Sequence, residues 1–396
     1  MKKIAKKIIL ASLGLLVVAS IAISVVAINK RNVVTSIGFY NVPDSYYEAY
    51  VDVITKDSTS KLKLIRLGDE DISSKKLTKK IDMLITYNGK LTQDLLSKAV
   101  SVPSSIEERF PRTVKSSSLF SLDNSLKIFP INFDLFETNI LTTAVNHYDL
   151  PLPSFIEDIS TFGLKAMEIY PIPIVLSGAD DNTLNLFFTL LVEAFGGKEG
   201  YFNVKKQIEE DSLNNFYNYV IHESNNLTVQ TVLDLIKKWE DESILSRTWR
   251  TTTFTNTAQL IEDNRTTMAL MTLSEHRNVL SDNLNYYETI LFPSSINNKS
   301  SERCSIQPCV VGMIFNDNED TRLVTNRLTL KDNQELLSLK TQMGPSTLQG
   351  TAFDRQADDA RFFAASFPSG PVPDLATLCF IDKEMKHKMA ELIRNY

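Results

Sequence analysis

Residues 33–54 read VVTSIGFYNVPDSYYEAYVDVI. Their first seven positions, 33–39, have the pattern of a strand, and Tyr46, Tyr50, Val53 and Ile54 then recur at helical spacing. A strand followed at once by a helix is a βα unit. Residues 61–68 alternate through Leu62 and Leu64 as a second strand, and 81–87, IDMLITY, form the short apolar run typical of a parallel sheet. Residues 91–99 follow as a helix. This alternation predicts an α/β lobe built on a mainly parallel sheet.

Further along, 128–138 (IFPINFDLFET) again reads as extended, and Pro151, Pro153, Pro171 and Pro173 keep the helices after it short. Residues 182–195 form a strong helix, capped by Asp180 or Asp181 and stopped by Gly196 and Gly197. Its polar residues Asn185, Thr189 and Glu193 fall four apart, which predicts one narrow wet stripe on an otherwise apolar core helix. Val229, Val232, Leu233, Ile236 and Trp239 mark another amphipathic helix with Thr228 as its cap. A helix over 256–262 leads into a strand over 267–273. Residues 294–302 (SSINNKSSE) are a polar loop, and helices over 333–343, 357–367 and from Lys383 complete the chain.

The 396 residues exceed one compact domain, so two lobes are expected after an N-terminal segment. A hydrophobic content of 43% with 23% charged residues is that of a folded globular body. The net charge of −6 leaves no basic stripe to neutralise phosphates, which argues against nucleic acid as a partner. Cys304, Cys309 and Cys379 are too few for a disulfide framework, though Cys304 and Cys309 either pair across a small loop or stand alone. The four histidines lack the spacing of a helical zinc site, and no phosphate-binding loop, dinucleotide motif or nucleophile elbow occurs. No metal, cofactor or catalytic residue is expected, and the chain does not read as an enzyme.

Lys2, Lys3, Lys6 and Lys7 precede an uncharged run over 8–28, whose 21 residues match the roughly 20 needed to cross a bilayer. The lysines hold that end in the cytoplasm, so the body lies outside. The length favours an uncleaved anchor; Val25 and Ala27 also fit a signal-peptidase site, which leaves a cleaved signal peptide as the alternative.

Three runs read together as one pattern: PIPIVLSGADDNTLNLFFTLLVEAFGG over 171–197, VLDLIKKWEDESIL with NTAQLIEDNRTTMALMTLSEHRNV within 232–279, and PSTLQGTAFD near the end. The chain resembles the family 1 extracellular solute-binding proteins, the sugar-binding components of bacterial ABC importers. The resemblance implies a two-lobe, Venus-flytrap fold of the type II periplasmic class, with three crossovers near 129–134, 274–277 and 312–316. It divides the chain into 1–32, a first lobe of 33–130 plus 276–314, and a second lobe of 131–275 plus 315–396. It implies a monomer at the periplasmic face of the inner membrane that hands a small solute, a carbohydrate above all, to permease subunits. A charged non-sugar solute, or an interaction protein that has lost its ligand, are the alternatives.

Open α/β sheets place ligands beyond the carboxyl ends of their strands, which selects Phe39, Tyr40, Tyr87 and Asn88. A sugar needs aromatic faces beside carboxylates, amides and guanidinium groups. The implied crossovers add Asp134, Glu275, His276 and Arg277, the last three standing where family members carry a stacking aromatic residue. Trp249, in the polar loop 247–253, belongs either to the core or to the ligand.

Overall fold

A computed structural model describes residues 34–396 apart from 57–60, 73–75, 224–225, 280–281, 283–285, 299–301 and 353. The expected membrane segment over 8–28 lies outside the described residues. Among the described residues no helix is long and apolar enough to cross a membrane.

The opening stretch folds as its pattern dictates. Strand Thr35–Tyr40 pairs in parallel with Leu62–Leu67 on one side and Met83–Tyr87 on the other. Helix Asp44–Thr55 returns between them and buries Ala49, Tyr50, Val53 and Ile54, so that Tyr50, Val53 and Ile54 of the face read from the sequence enter the core while Tyr46 does not. The sheet is completed by strands from far along the chain. Cys309–Ile314 runs antiparallel to Met83–Tyr87, Ile128–Phe133 joins its other edge, and the short strand Gly344–Pro345 closes the order. This first sheet is therefore mixed rather than mainly parallel. Gly312 sits in its centre directly over Phe129, where an added Cβ would meet the ring at 2.1 Å. Gly312→Ala is expected to cost about 1–3 kcal/mol by overpacking, read as a lower denaturant midpoint at unchanged slope; an unchanged midpoint would show that the ring moves freely aside.

The second sheet holds Tyr287–Ile290, Phe136–Leu141, Met268–Thr272 and Ile174–Leu176 in that order. Helix Asp181–Asp211 runs across this lobe, with Asp180 accepting from the Thr183 amide as its cap. The expected stop at Gly197 is a kink, at φ 57° and ψ −154°, after which the helix resumes. Gly196 and Gly200 face the Ile221 side chain so closely that any Cβ would collide with it. The wet stripe predicted on this helix is instead buried: Asn185 is 2%, Thr189 0% and Glu193 0% exposed. Each finds a partner, because Asn185 donates to the Lys386 carbonyl, the Leu375 amide donates to Thr189, and Arg303 and the Cys304 amide donate to Glu193. Trp239 is fully buried, as its helical face predicted.

Chain crossings between the sheets set the lobe boundaries. The first lies at 134–135, between Ile128–Phe133 and Phe136–Leu141. The second falls within 291–308, after Tyr287–Ile290 and before Cys309–Ile314, and not at 274–277. The third follows helix Arg355–Ser366, which packs on the first sheet, and precedes Leu375–Cys379, which packs on the long helix of the second lobe; it is not at 312–316. Helices Glu319–Thr329 and Lys331–Thr341 stay with the first sheet because both pack against Asp44–Thr55 and bury Val324, Leu328 and Leu337. The segment after 315 thus divides between the lobes instead of joining the second.

Cys304 and Cys309 are not bonded to each other; both are buried free thiols, as is Cys379. The stretch between them is extended, with Ser305–Ile306 paired to Pro371–Val372 and Pro308 preceding the central strand, which draws the two residues apart. Burial pushes the Cys304 thiol up to about 12 and the Cys309 thiol well above its ordinary value.

Candidate functional site

A cleft of about 470 Å³ opens where the two lobes meet, within the range of small-molecule sites. The first lobe contributes Tyr46 from the opening turn of its first helix, and Tyr87 and Asn88 from the end of the strand Met83–Tyr87. The second lobe contributes Asp180, Thr183, Thr272, Ser274 and Glu275, all at the N-terminal ends of two helices. Asp374 and Lys386, from the two closing helices, complete the rim.

Asp134 sits at the first crossing and is 5% exposed. Its carboxylate accepts from the Ser274 amide at 2.9 Å and from the Ser274 hydroxyl at 2.7 Å. Burial nevertheless pushes its carboxyl up to about 7, against those two hydrogen bonds. Burial likewise raises Glu275, which accepts from the Thr272 amide and the Thr183 hydroxyl. The Tyr46 hydroxyl is hydrogen-bonded to Ser274 and raised by burial and by Asp134. Asn88 is 1% exposed, its amide oxygen accepts from the Thr92 hydroxyl at 2.8 Å, and its Nδ2 has no partner among the described residues.

Of the residues selected from the sequence, the cleft gathers Tyr87, Asn88, Asp134 and Glu275. Phe39 and Tyr40 are core residues: Phe39 packs edge-on to Tyr47 at 4.8 Å, and the Tyr40 hydroxyl donates to Asp69. They end the right strand, but their side chains turn into the lobe. Trp249 is fully buried, lies against Gly178 and carries the Arg250 guanidinium 4.7 Å over its ring. His276 is 2% exposed and pairs with buried Glu137 at 3.0 Å, inside the second lobe. Arg277 leaves the cleft altogether. It pairs with Asp354 and donates to the Gln342 carbonyl, at a separate opening that Glu288 and Arg355 also line. A short helix, Leu273–Arg277, explains the division: consecutive residues turn about 100°, so Ser274 and Glu275 face the cleft while His276 and Arg277 face away.

The residues missed by sequence reasoning are mostly helix caps and first-turn residues. The sequence pattern puts Tyr46 on the apolar face of its helix and marks Asp180 only as a cap. Among the described residues no cluster of side chains could hold a metal ion.

No protein-family model and no curated protein sequence matches the chain. Solved structures do. The bacterial solute receptor AcbH, described as exclusively preferring β-D-galactopyranose, superposes with a TM-score of 0.70 at 12% identity, covering 91% of each chain. The binding protein MsmE of Bacillus subtilis, in an open conformation, gives 0.70 at 11% identity over 91% of this chain and 93% of its own. The solute-binding protein RafE in complex with raffinose gives 0.64 at 10% identity over 91% and 98%. With two sheets, a cleft at their junction and this likeness along nine-tenths of its length, the chain has the two-lobe α/β fold of the sugar-binding solute receptors.

Proposed function

We propose that the chain is the solute-binding component of an ABC importer, capturing a sugar between its lobes and presenting it to a membrane permease. The observation that carries this reading is the cleft itself, which sets two tyrosine rings from the first lobe opposite carboxylates and hydroxyls from the second. Such a mixture suits a sugar, whose ring offers apolar C–H faces and whose edge offers hydroxyls. Receptors of this fold that bind galactopyranose and raffinose support it. The ligand is bound and released unchanged, and the protein works as a monomer. Closure of the lobes about the crossings at 134–135, 291–308 and 371–374 would hide the ligand and signal its presence.

The site lies outside the cytoplasm, held to the membrane by 8–28 or released from it by cleavage after Ala27. Protease added to spheroplasts should digest the body; protection of the body would place it inside.

The ligand reading is tested by thermal unfolding against a panel of neutral and charged sugars. A ligand at 100 times its Kd adds about 2.7 kcal/mol of stability, a shift easily measured. Tyr46→Ala and Tyr87→Ala should each weaken the best ligand about tenfold, the loss of one ring face being worth roughly 1.4 kcal/mol. A panel without any shift would dispose of the sugar-binding reading, and unchanged affinity in both variants would move the ligand out of this cleft.

A further inference from the structure

Charge in the cleft is unevenly distributed. Its lining carries four carboxyl groups, Asp180, Glu275, Asp374 and the more buried Asp134, which holds its proton up to about pH 7, against one ammonium group, Lys386, and contains no arginine or histidine. Elsewhere in the second lobe the buried Glu193 is neutralised by Arg303, and the buried Glu137 meets the His276 ring. None of the four cleft carboxyl groups has an ion pair to a described cation within 4.0 Å; their partners are backbone amides and hydroxyls.

We propose that the cleft selects a carbohydrate carrying a protonated amine, whose ammonium group is received by these unpaired carboxylates while its hydroxyls meet Asn88 and the two tyrosines. This rests on the sugar-binding reading and narrows it. Asn88 supplies an observation independent of the charges. Its amide oxygen is committed to Thr92, so its buried and unpartnered Nδ2 requires an acceptor, such as a sugar hydroxyl or ring oxygen.

Helix ends do not cancel the charge. Asp180, Glu275 and Asp374 lie in first turns or at caps, but Leu273–Arg277 and Leu375–Cys379 have only five residues each and little dipole. The long helix behind Asp180 offers about half a positive charge at most. With Lys386 that offsets fewer than two of the three carboxylates other than Asp134. Closing the lobes on a neutral sugar would strip water from the remainder without replacing it. A ligand ammonium, as a donor of three charge-assisted hydrogen bonds, supplies the missing partner.

The experiment is calorimetry on the full-length chain with glucosamine, galactosamine and chitosan disaccharide, each beside its N-acetyl counterpart, at a pH where the free amines are protonated. Acetylation keeps the sugar skeleton and removes the charge. At least one free amine should bind ten times or more tighter than its acetylated partner, with the ratio shrinking as salt is raised. Asp180→Asn and Asp374→Asn retain a capping side chain and remove one charge each. Both should cut the preference, read as the ratio of free-amine to N-acetyl affinity in the same variant, threefold or more. Equal or tighter binding of the acetylated sugars, or a preference indifferent to both variants, overturns this inference and leaves the sugar-binding reading intact. So does a neutral sugar that binds when none of the amines does. Failure of every sugar, charged and neutral, overturns the reading itself and the inference with it.

Discussion

Glu193→Ala should lower the unfolding free energy by about 3–5 kcal/mol, as removal of one member of a buried ion pair does. Glu193 is 0% exposed in the middle of the long helix. Arg303 reaches it through both Nε and Nη2, and the Cys304 amide donates to it at 3.0 Å, so one carboxylate ties the helix to the segment that leads back to the first sheet. Truncation leaves a guanidinium whose side chain is only 18% exposed without its counter-charge, and a buried amide without an acceptor. Arg303 keeps its bond to the Phe292 carbonyl, which holds it near the vacated site instead of letting it turn to water. Glu193→Gln, which retains one acceptor oxygen and the volume, should cost less than half as much. Denaturant unfolding of the three proteins decides it: a loss below about 1 kcal/mol for the alanine variant would mean that Arg303 escapes to solvent.

The same helix shows why the sequence is legible in outline and opaque in detail. Its start, cap and apolar character follow from local pattern, though not its continuation past Gly197, and so do the βα unit of the first lobe and most later helices. A period of four polar residues, however, is the same whether water or another segment lies against it. Here the segments are 303–304, 375 and 386, more than a hundred residues away in the chain, and no local rule announces them. The cleft has the same origin. The strand-end rule finds Tyr87 and Asn88 because it concerns a single sheet, but it also selects Tyr40, whose hydroxyl is drawn to Asp69 within the lobe. Asp180 is visible in sequence as a cap, whereas Asp374 is not; that their capped ends converge on one cleft is a property of lobe packing alone.

Asp134→Asn should make the protein more resistant to alkaline conditions, by up to about 4 kcal/mol at pH 8. The carboxyl titrates at about 7 in the folded protein, against an ordinary value of 3.8. Three units at about 1.4 kcal/mol each give the figure as an order of magnitude. Between those two values the folded chain holds a proton that the unfolded chain has released, so raising the pH favours unfolding. The penalty is absent below pH 4, grows through pH 7 and is constant above it. An amide in the same place has no proton to lose. It also keeps both contacts to Ser274, its oxygen accepting from the amide and its nitrogen donating to the hydroxyl, so the crossing at 134–135 retains its geometry. Urea unfolding at pH 4 and pH 8 should therefore show the two proteins nearly equal at the lower pH and the asparagine variant more stable at the higher. An equal change in both between the two pH values would mean that Asp134 is ionised throughout, with water reaching it at the floor of the open cleft. The difference bears on the proposed function, because Asp134 sits at the first crossing and lines the cleft. Under that proposal, a neutral carboxyl there would let the lobes close with little desolvation cost, whereas an ionised one would require a positive partner first.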